Sequence, residues 1–199
     1  MPAPEWFSQL LREYLSDPQI EQLYHHYELL LRWNARMNLT TVKSGPEMVI
    51  RHYCESLFFA THLPMPKNAQ KGAISVLDLG SGAGFPGIPI AVLHPDWRVT
   101  LVESTHRKAV FLRESTRHLT NVAVRAERME ELVEHADWVV SRAVEAKSVL
   151  VTAERIASHV ALMVGEEDFS AVRKEFGIAW DEPVRLPWGD RKLCVYGST

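Results

Sequence analysis

"ISVLDLGSGAGFPGIPIA", residues 74–91, decides how this chain is read. An apolar run ends at Asp78, and Gly80, Gly82, Gly84 and Gly87 follow before apolar residues resume at Ile88. The pattern predicts a buried strand that passes into a helix near Pro86 through a nearly bare backbone, which lets a ligand approach without meeting a Cβ. Read from Gly82, "GAGFPG" is the G-x-G-x-x-G of a dinucleotide site. Read from Asp78, "DLGSGAG" is D-x-G-x-G-x-G, the opening of an S-adenosylmethionine (SAM) pocket. Either ligand carries an adenosine and sits at the carboxyl ends of parallel strands.

Working outward, strand and helix patterns alternate. "RVTLVES", "NVAVRAE", "DWVVSRAV" and "HVALMVG" read as strands, and "HRKAVFLRESTRHL", "EAKSVLVTAERIA" and "EDFSAVRKEF" as the helices between or after them. That order predicts a mainly parallel sheet covered on both faces. The tail "PVRLPWGDRKLCVYG" reads as two strands around "WGDR", an antiparallel hairpin. Glu103 closes the second strand, placed to accept hydrogen bonds from ribose hydroxyls. Three features favour SAM over NAD: Asp78 at the strand end, Ala126 and Glu127 closing the third strand where an adenine edge would lie, and the terminal hairpin. The expected fold is therefore α/β, a Rossmann-like class I SAM-dependent methyltransferase sheet, with an NAD-dependent oxidoreductase as the weaker reading.

Residues 1–63 read as helical, with Ser16 or Asp17 capping a helix that carries Ile20, Leu23, Tyr24, Tyr27, Leu30 and Leu31 at helical spacing, and Pro46 opening another. "PMPKNAQKG", 64–72, reads as a linker, giving an N-terminal helical region at 1–70 and a methyltransferase domain at 71–199. The chain has 199 residues, a formal charge of −3 and two cysteines, Cys54 and Cys194. Two distant cysteines make neither a disulfide framework nor a zinc motif, so no metal is expected. No apolar run reaches the ~20 residues of a membrane helix. "MPAPEWFSQLLREYL" lacks a basic start followed by an apolar stretch, so no signal peptide is expected and the cytoplasm is the expected compartment. The anionic total means that a nucleic-acid partner would need a local basic patch. Candidates are Arg32, Arg36, Lys43, Arg51 and His52 in the helical region, and Arg107, Lys108, Arg113 and Arg117 on the second crossover helix. Trp6, Trp97, Trp138, Trp180 and Trp188 have no platform-like spacing and are expected in the core.

"WNARMNLT", "RHYCESL", "VLDLGSGAGFPGIPIA", "VRAE" and "VSRAV", in this order and spacing, resemble the RsmG (GidB) family of bacterial methyltransferases that modify guanine N7 in 16S ribosomal RNA. The resemblance covers about residues 20 to 165. It implies that Gly80, Gly82, Phe85 and Asp78 line the SAM pocket, that Glu103 takes the ribose, that Ala126 and Glu127 take the adenine, and that Arg142 faces the methionine end or the RNA. Arg51 and His52, in a family motif, are expected substrate contacts, and Asn38 either caps the following turn or hydrogen-bonds the guanine; the expected partner is the small ribosomal subunit or its 16S RNA, and the expected working form is a monomer. Two positions depart from the family: Glu55 stands where Asp is common, and Val164 where Lys is common, ahead of the acidic Glu166, Glu167 and Asp168. A cation lost from the mouth bears on RNA affinity. Guanine N7 carries a lone pair and no proton, so its methylation needs alignment rather than a general base. A methyltransferase of a protein or small molecule, and an inactive SAM- or RNA-binding module, are the alternatives.

Overall fold

The computed structural model describes residues 2–42, 45–65, 74–189 and 192–199. Lys43, most of the expected 64–72 linker with the 70/71 boundary, and Asp190 and Arg191 of the "WGDR" turn lie outside the described residues. The helical region comprises α1 (Glu5–Leu11), α2 (Asp17–Met37), α3 (Gly45–Met48), a π turn (Val49–Cys54) and α4 (Glu55–Thr61). Ser16 opens α2 through a reciprocal capping box with Gln19, whose amide also donates to the Val92 carbonyl at 2.7 Å. A helix is expected from Pro46, and the structure adds within it a π turn that no local pattern signals.

The sheet follows in β1 (Ser75–Leu79), α5 (Gly87–Leu93), β2 (Arg98–Val102), α6 (His106–Ser115), β3 (Val122–Arg125), β4 (Ala136–Arg142), α7 (Ala146–Ile156), β5 (Ala157–Gly165) and α8 (Glu166–Val172). The tail forms β6 (Ala179–Trp180), β7 (Val184–Arg185) and β8 (Lys192–Ser198). The strand order is 3-2-1-4-5-8, parallel up to β5, with β8 antiparallel to β5 and both short strands on the outer edge of β8. Order reverses between β1 and β4, so the crevice for a ligand opens above the carboxyl ends of those strands. The expected hairpin is β7–β8, while β6 is a further edge strand that two residues of pattern did not signal. Trp97 and Trp138 are buried as expected, but Trp6 and Trp188 are 38% and 37% exposed.

One apolar cluster spans the helical region and one face of the sheet, joining Phe7, Leu23 and Tyr53 to Phe85, Ile88 and Phe111. His26, wholly buried on α2, is its polar pin. Its Nε2 lies 3.0 Å from the Ala83 carbonyl oxygen and its Nδ1 2.7 Å from the Tyr53 hydroxyl. A carbonyl only accepts, so Nε2 carries the proton and Nδ1 accepts from Tyr53. The glycine loop is thus fastened from below to both α2 and the π turn.

Burial pushes the His26 imidazole down to about 3. The unfolded chain takes up a proton near its ordinary value of ~6.5. The unfolded state therefore binds more protons, and the stability tied to His26 is present above about pH 6.5 and falls as pH drops toward 3. In His26→Gln, the unfolding free energy measured by urea titration at about pH 4 to 6 should lose up to ~1.4 kcal/mol per pH unit of its slope relative to the parent. An unchanged slope would mean that His26 titrates normally in the fold.

Candidate active site

Gly80 leaves β1 at φ +71, and its N–H donates to the Val102 carbonyl of β2 at 2.9 Å. A Cβ at this position would stand 2.4 Å from Val144 Cγ2. Both the left-handed backbone and the contact with the β4–α7 loop therefore require glycine. Two hollows meet over Gly80, sharing it with Lys108 and Ala143. One, of about 330 Å³, is walled by Asn38, Thr40, His52, Gly82, Phe85 and Arg142. The other, of about 340 Å³, is walled by Glu103, Thr105, Glu127, Arg128 and Met129.

The second hollow has the chemistry of a nucleoside site. Glu103 is buried at the end of β2, and its two carboxylate oxygens accept from Gly82 N–H at 3.0 Å and Thr105 N–H at 2.8 Å. These two bonds orient the carboxylate, and each oxygen keeps capacity for a ligand hydroxyl. Glu127 also lines this hollow and is ion-paired with Arg125, which reaches Glu134 at 2.8 Å. Ala126, one residue earlier, is exposed at the strand end and is not part of the wall.

In the first hollow Arg142, at the end of β4, is the dominant charge. Its Nη2 lies 3.1 Å from Glu55 Oε2 and donates to the Arg51 carbonyl at 2.6 Å. The π turn makes room for that bond, since the Glu55 N–H goes to Ile50 and His52 rather than to Arg51. Nη1 of Arg142 is buried with no hydrogen-bond partner. An orphaned guanidinium donor in a cavity wall fits a ligand carboxylate or a base edge. Glu55, whose side chain is 3% exposed, also takes Lys192 Nζ at 3.4 Å. Lys192 pairs in register with Gly165, one step from Val164, so β8 supplies an ammonium beside the position where the resemblance expects a lysine. The spacing of more than a hundred residues between Glu55 and Lys192 hid this pair from sequence reasoning.

The remaining candidates divide. Phe85 lines the hollow and stacks on His52 with centroids 4.9 Å apart. His52 Nε2 lies 2.7 Å from Thr40 Oγ1. Burial, reinforced by Arg142 and Lys192, drives this imidazole down to about 3. Asn38 ends α2 in the left-handed conformation, φ 50, serving the turn, and is one of the wall residues. Arg51 offers its carbonyl to Arg142, while its side chain pairs with Glu47 and is not among the residues of either wall. Asp78 is wholly buried beneath the loop, accepting from Gly87 N–H at 3.0 Å, and is likewise absent from both walls. Burial pushes its carboxyl up to about 7. The sequence placed Asp78 correctly at the strand end but not the inward turn of its side chain. Thr40, Lys108 and Met129 are wall residues that loop motifs alone did not single out as a set.

The fold resembles that of a SAM-dependent methyltransferase from Aquifex aeolicus, with a TM-score of 0.60 at 16% identity over 77% of this chain and 93% of that one. "Ribosomal RNA small subunit methyltransferase G" of Nitrosomonas europaea is 41% identical over 126 residues, 61% of this chain and 55% of that protein. The protein of the same name from Chromobacterium violaceum is 34% identical over 88% of this chain and 79% of its own length. The chain thus spans about half the length of the first of these relatives and most of the second. The family model described as "GidB: rRNA small subunit methyltransferase G" matches residues 19–164, which hold the whole of both walls. The chain belongs to the GidB family, rRNA small subunit methyltransferase G.

Proposed function

We propose that this chain transfers the methyl group of SAM to N7 of a guanine in 16S ribosomal RNA. SAM supplies an activated methyl on a sulfonium, and N7 supplies the electron pair. The protein's part is to hold the nucleoside at Glu103 and Glu127, to lay the chain of the ligand across Gly80, and to bring the base against Asn38, His52 and Arg142. We assign residues 1–70 as a helical cap and 71–199 as the methyltransferase domain, acting in the cytoplasm as a monomer on the small ribosomal subunit.

The observation that carries the choice of acceptor is the absence of a usable base among the wall residues described. His52, the sole imidazole in the first hollow, is held down at about 3 and is too weak to take a proton from a hydroxyl or an amine. Glu103 and Glu127 stand in the other hollow, already engaged by Gly82, Thr105 and Arg125. An acceptor that arrives with a free lone pair and no proton to lose suits this wall, and guanine N7 is such an acceptor. Transfer of tritiated methyl from SAM to naked 16S RNA and to small subunits lacking the modification, followed by mapping of the base, tests the proposal. Label on a guanine N7 is expected; label on another atom, or none, would overturn it.

Two further outcomes are expected. Glu103→Ala removes a charge-assisted acceptor and should weaken SAM by about 1.5–3 kcal/mol in calorimetry, while Glu103→Gln should lose less. Equal affinity in both variants and the parent would return Glu103 to the role of a loop anchor. The single-turnover rate with RNA and SAM saturating should stay flat from about pH 6 to pH 9, because His52 remains neutral throughout and N7 has no proton to shed. A rate rising about tenfold per pH unit would point to an acceptor that must first be deprotonated.

A further inference from the structure

The cations of this chain are unevenly partnered. Arg12, Arg125, Arg142, Lys147, Arg185 and Lys192 each meet a carboxylate within ion-pair distance. By contrast Arg36 on α2, and Arg107, Arg113 and Arg117 on or just beyond α6, have no ion pair among the described residues, and all four are exposed. Arg32 is also exposed, held only to the Glu28 carbonyl at 3.4 Å.

These side chains stand on two neighbouring helices and are all exposed. The two helices pack antiparallel: His25 meets His118 at 4.9 Å, and Trp33, further along α2, meets Phe111, further back along α6. The C-terminal end of α2 therefore stands beside the N-terminal end of α6, and there Asn38 and Lys108 both line the first hollow. From that mouth the cations run outward along α6, Arg107 and Arg113 lying about 9 Å apart along the axis and Arg117 following just beyond its end. On the other flank of α2, a further hollow of about 560 Å³ is lined by Leu31, Asn34, Ala35, Asn38, Thr40 and Thr41, three of which also line the first hollow. Glu28 and Glu114 are the acids on these stretches of helix. The acids of the chain gather elsewhere, with Glu130 at the far hollow and Glu166, Glu167 and Asp168 on α8.

We propose that the joined face of α2 and α6 grips the RNA phosphate backbone next to the target base, and that the strand enters the site from this side. The inference rests on the RNA reading given above. Unpaired arginines on a chain of net charge −3 form a local polycation, interrupted by Glu28 and Glu114, which orients a polyanion as it approaches.

The test compares two double variants that remove equal charge. Arg113→Gln/Arg117→Gln strips the track beyond the cavity wall; Arg173→Gln/Lys174→Gln strips two cations at the end of α8. Gln preserves helix propensity, and circular dichroism with SAM affinity checks the fold. For the α6 double variant, affinity for 16S RNA by filter binding should fall about tenfold at moderate salt, with the slope of log affinity against log salt reduced by about one and a half. Its SAM affinity and its saturated transfer rate should match the parent, and the α8 variant should match the parent throughout. Unchanged RNA affinity in the α6 variant, or an equal loss in the α8 variant, would overturn the assignment. RNA affinity is read separately from methyl transfer. An intact chain that binds RNA and transfers no methyl would sink the methyltransferase reading while the variant affinities still decide the track.

Discussion

Everything at the site depends on the left-handed turn at Gly80. The loop after β1 must bend at φ +71 while lying directly against Val144 of the β4–α7 loop, where a single added carbon would come within 2.4 Å. Glycine lets the two strands at the switch point bring their exit loops into contact. The floor between them is then backbone alone, so the hollows on either side join over it rather than being divided by a side chain. Asp78 and His26 hold that floor from beneath, one on the Gly87 N–H and the other on the Ala83 carbonyl. Neither reaches the cavity, yet both fix where its wall stands.

The second constraint is electrostatic. Arg142 is a largely covered cation, its side chain 12% exposed, and covering a charge is costly unless it is paired and hydrogen-bonded. Glu55 and the Arg51 carbonyl supply that pairing, and both come from the helical region. The guanidinium therefore couples the helical region to the end of β4. Lys192 adds a second positive charge to Glu55 from β8, so one carboxylate gathers cations from two different strands. These charges also keep His52 neutral, since a proton on it would be buried beside Arg142 and Lys192.

How far the sequence foretold this follows from the range of the interactions. The succession of strands and helices, the loop, Glu103 at the end of β2 and the capped helix at Ser16 are set by local periodicity and turn chemistry, and each is found where its pattern placed it. Phe85, Gly82 and Arg142, which the resemblance assigned to the ligand site, line the first hollow. What the pattern did not carry is the direction in which a correctly placed side chain points: Asp78 turns into the core, Ala126 turns to solvent, and Arg51 contributes a carbonyl rather than a guanidinium. Nor did it carry contacts between distant segments, such as Lys192 on Glu55 or the π turn that accommodates Arg142. The exposed Trp6 and Trp188 show the same limit, since apolar identity alone does not say how much of a ring is covered.

The most direct measurement is a crystal structure of this chain with S-adenosylhomocysteine bound. Ribose hydroxyls are expected on the two oxygens of Glu103, the adenine beside Glu127, and the thioether sulfur above Gly80 facing the hollow of Asn38, His52 and Arg142. A nucleoside seated instead beside Asn34 and Thr41, or a Glu103 carboxylate that touches only Gly82 and Thr105, would contradict it.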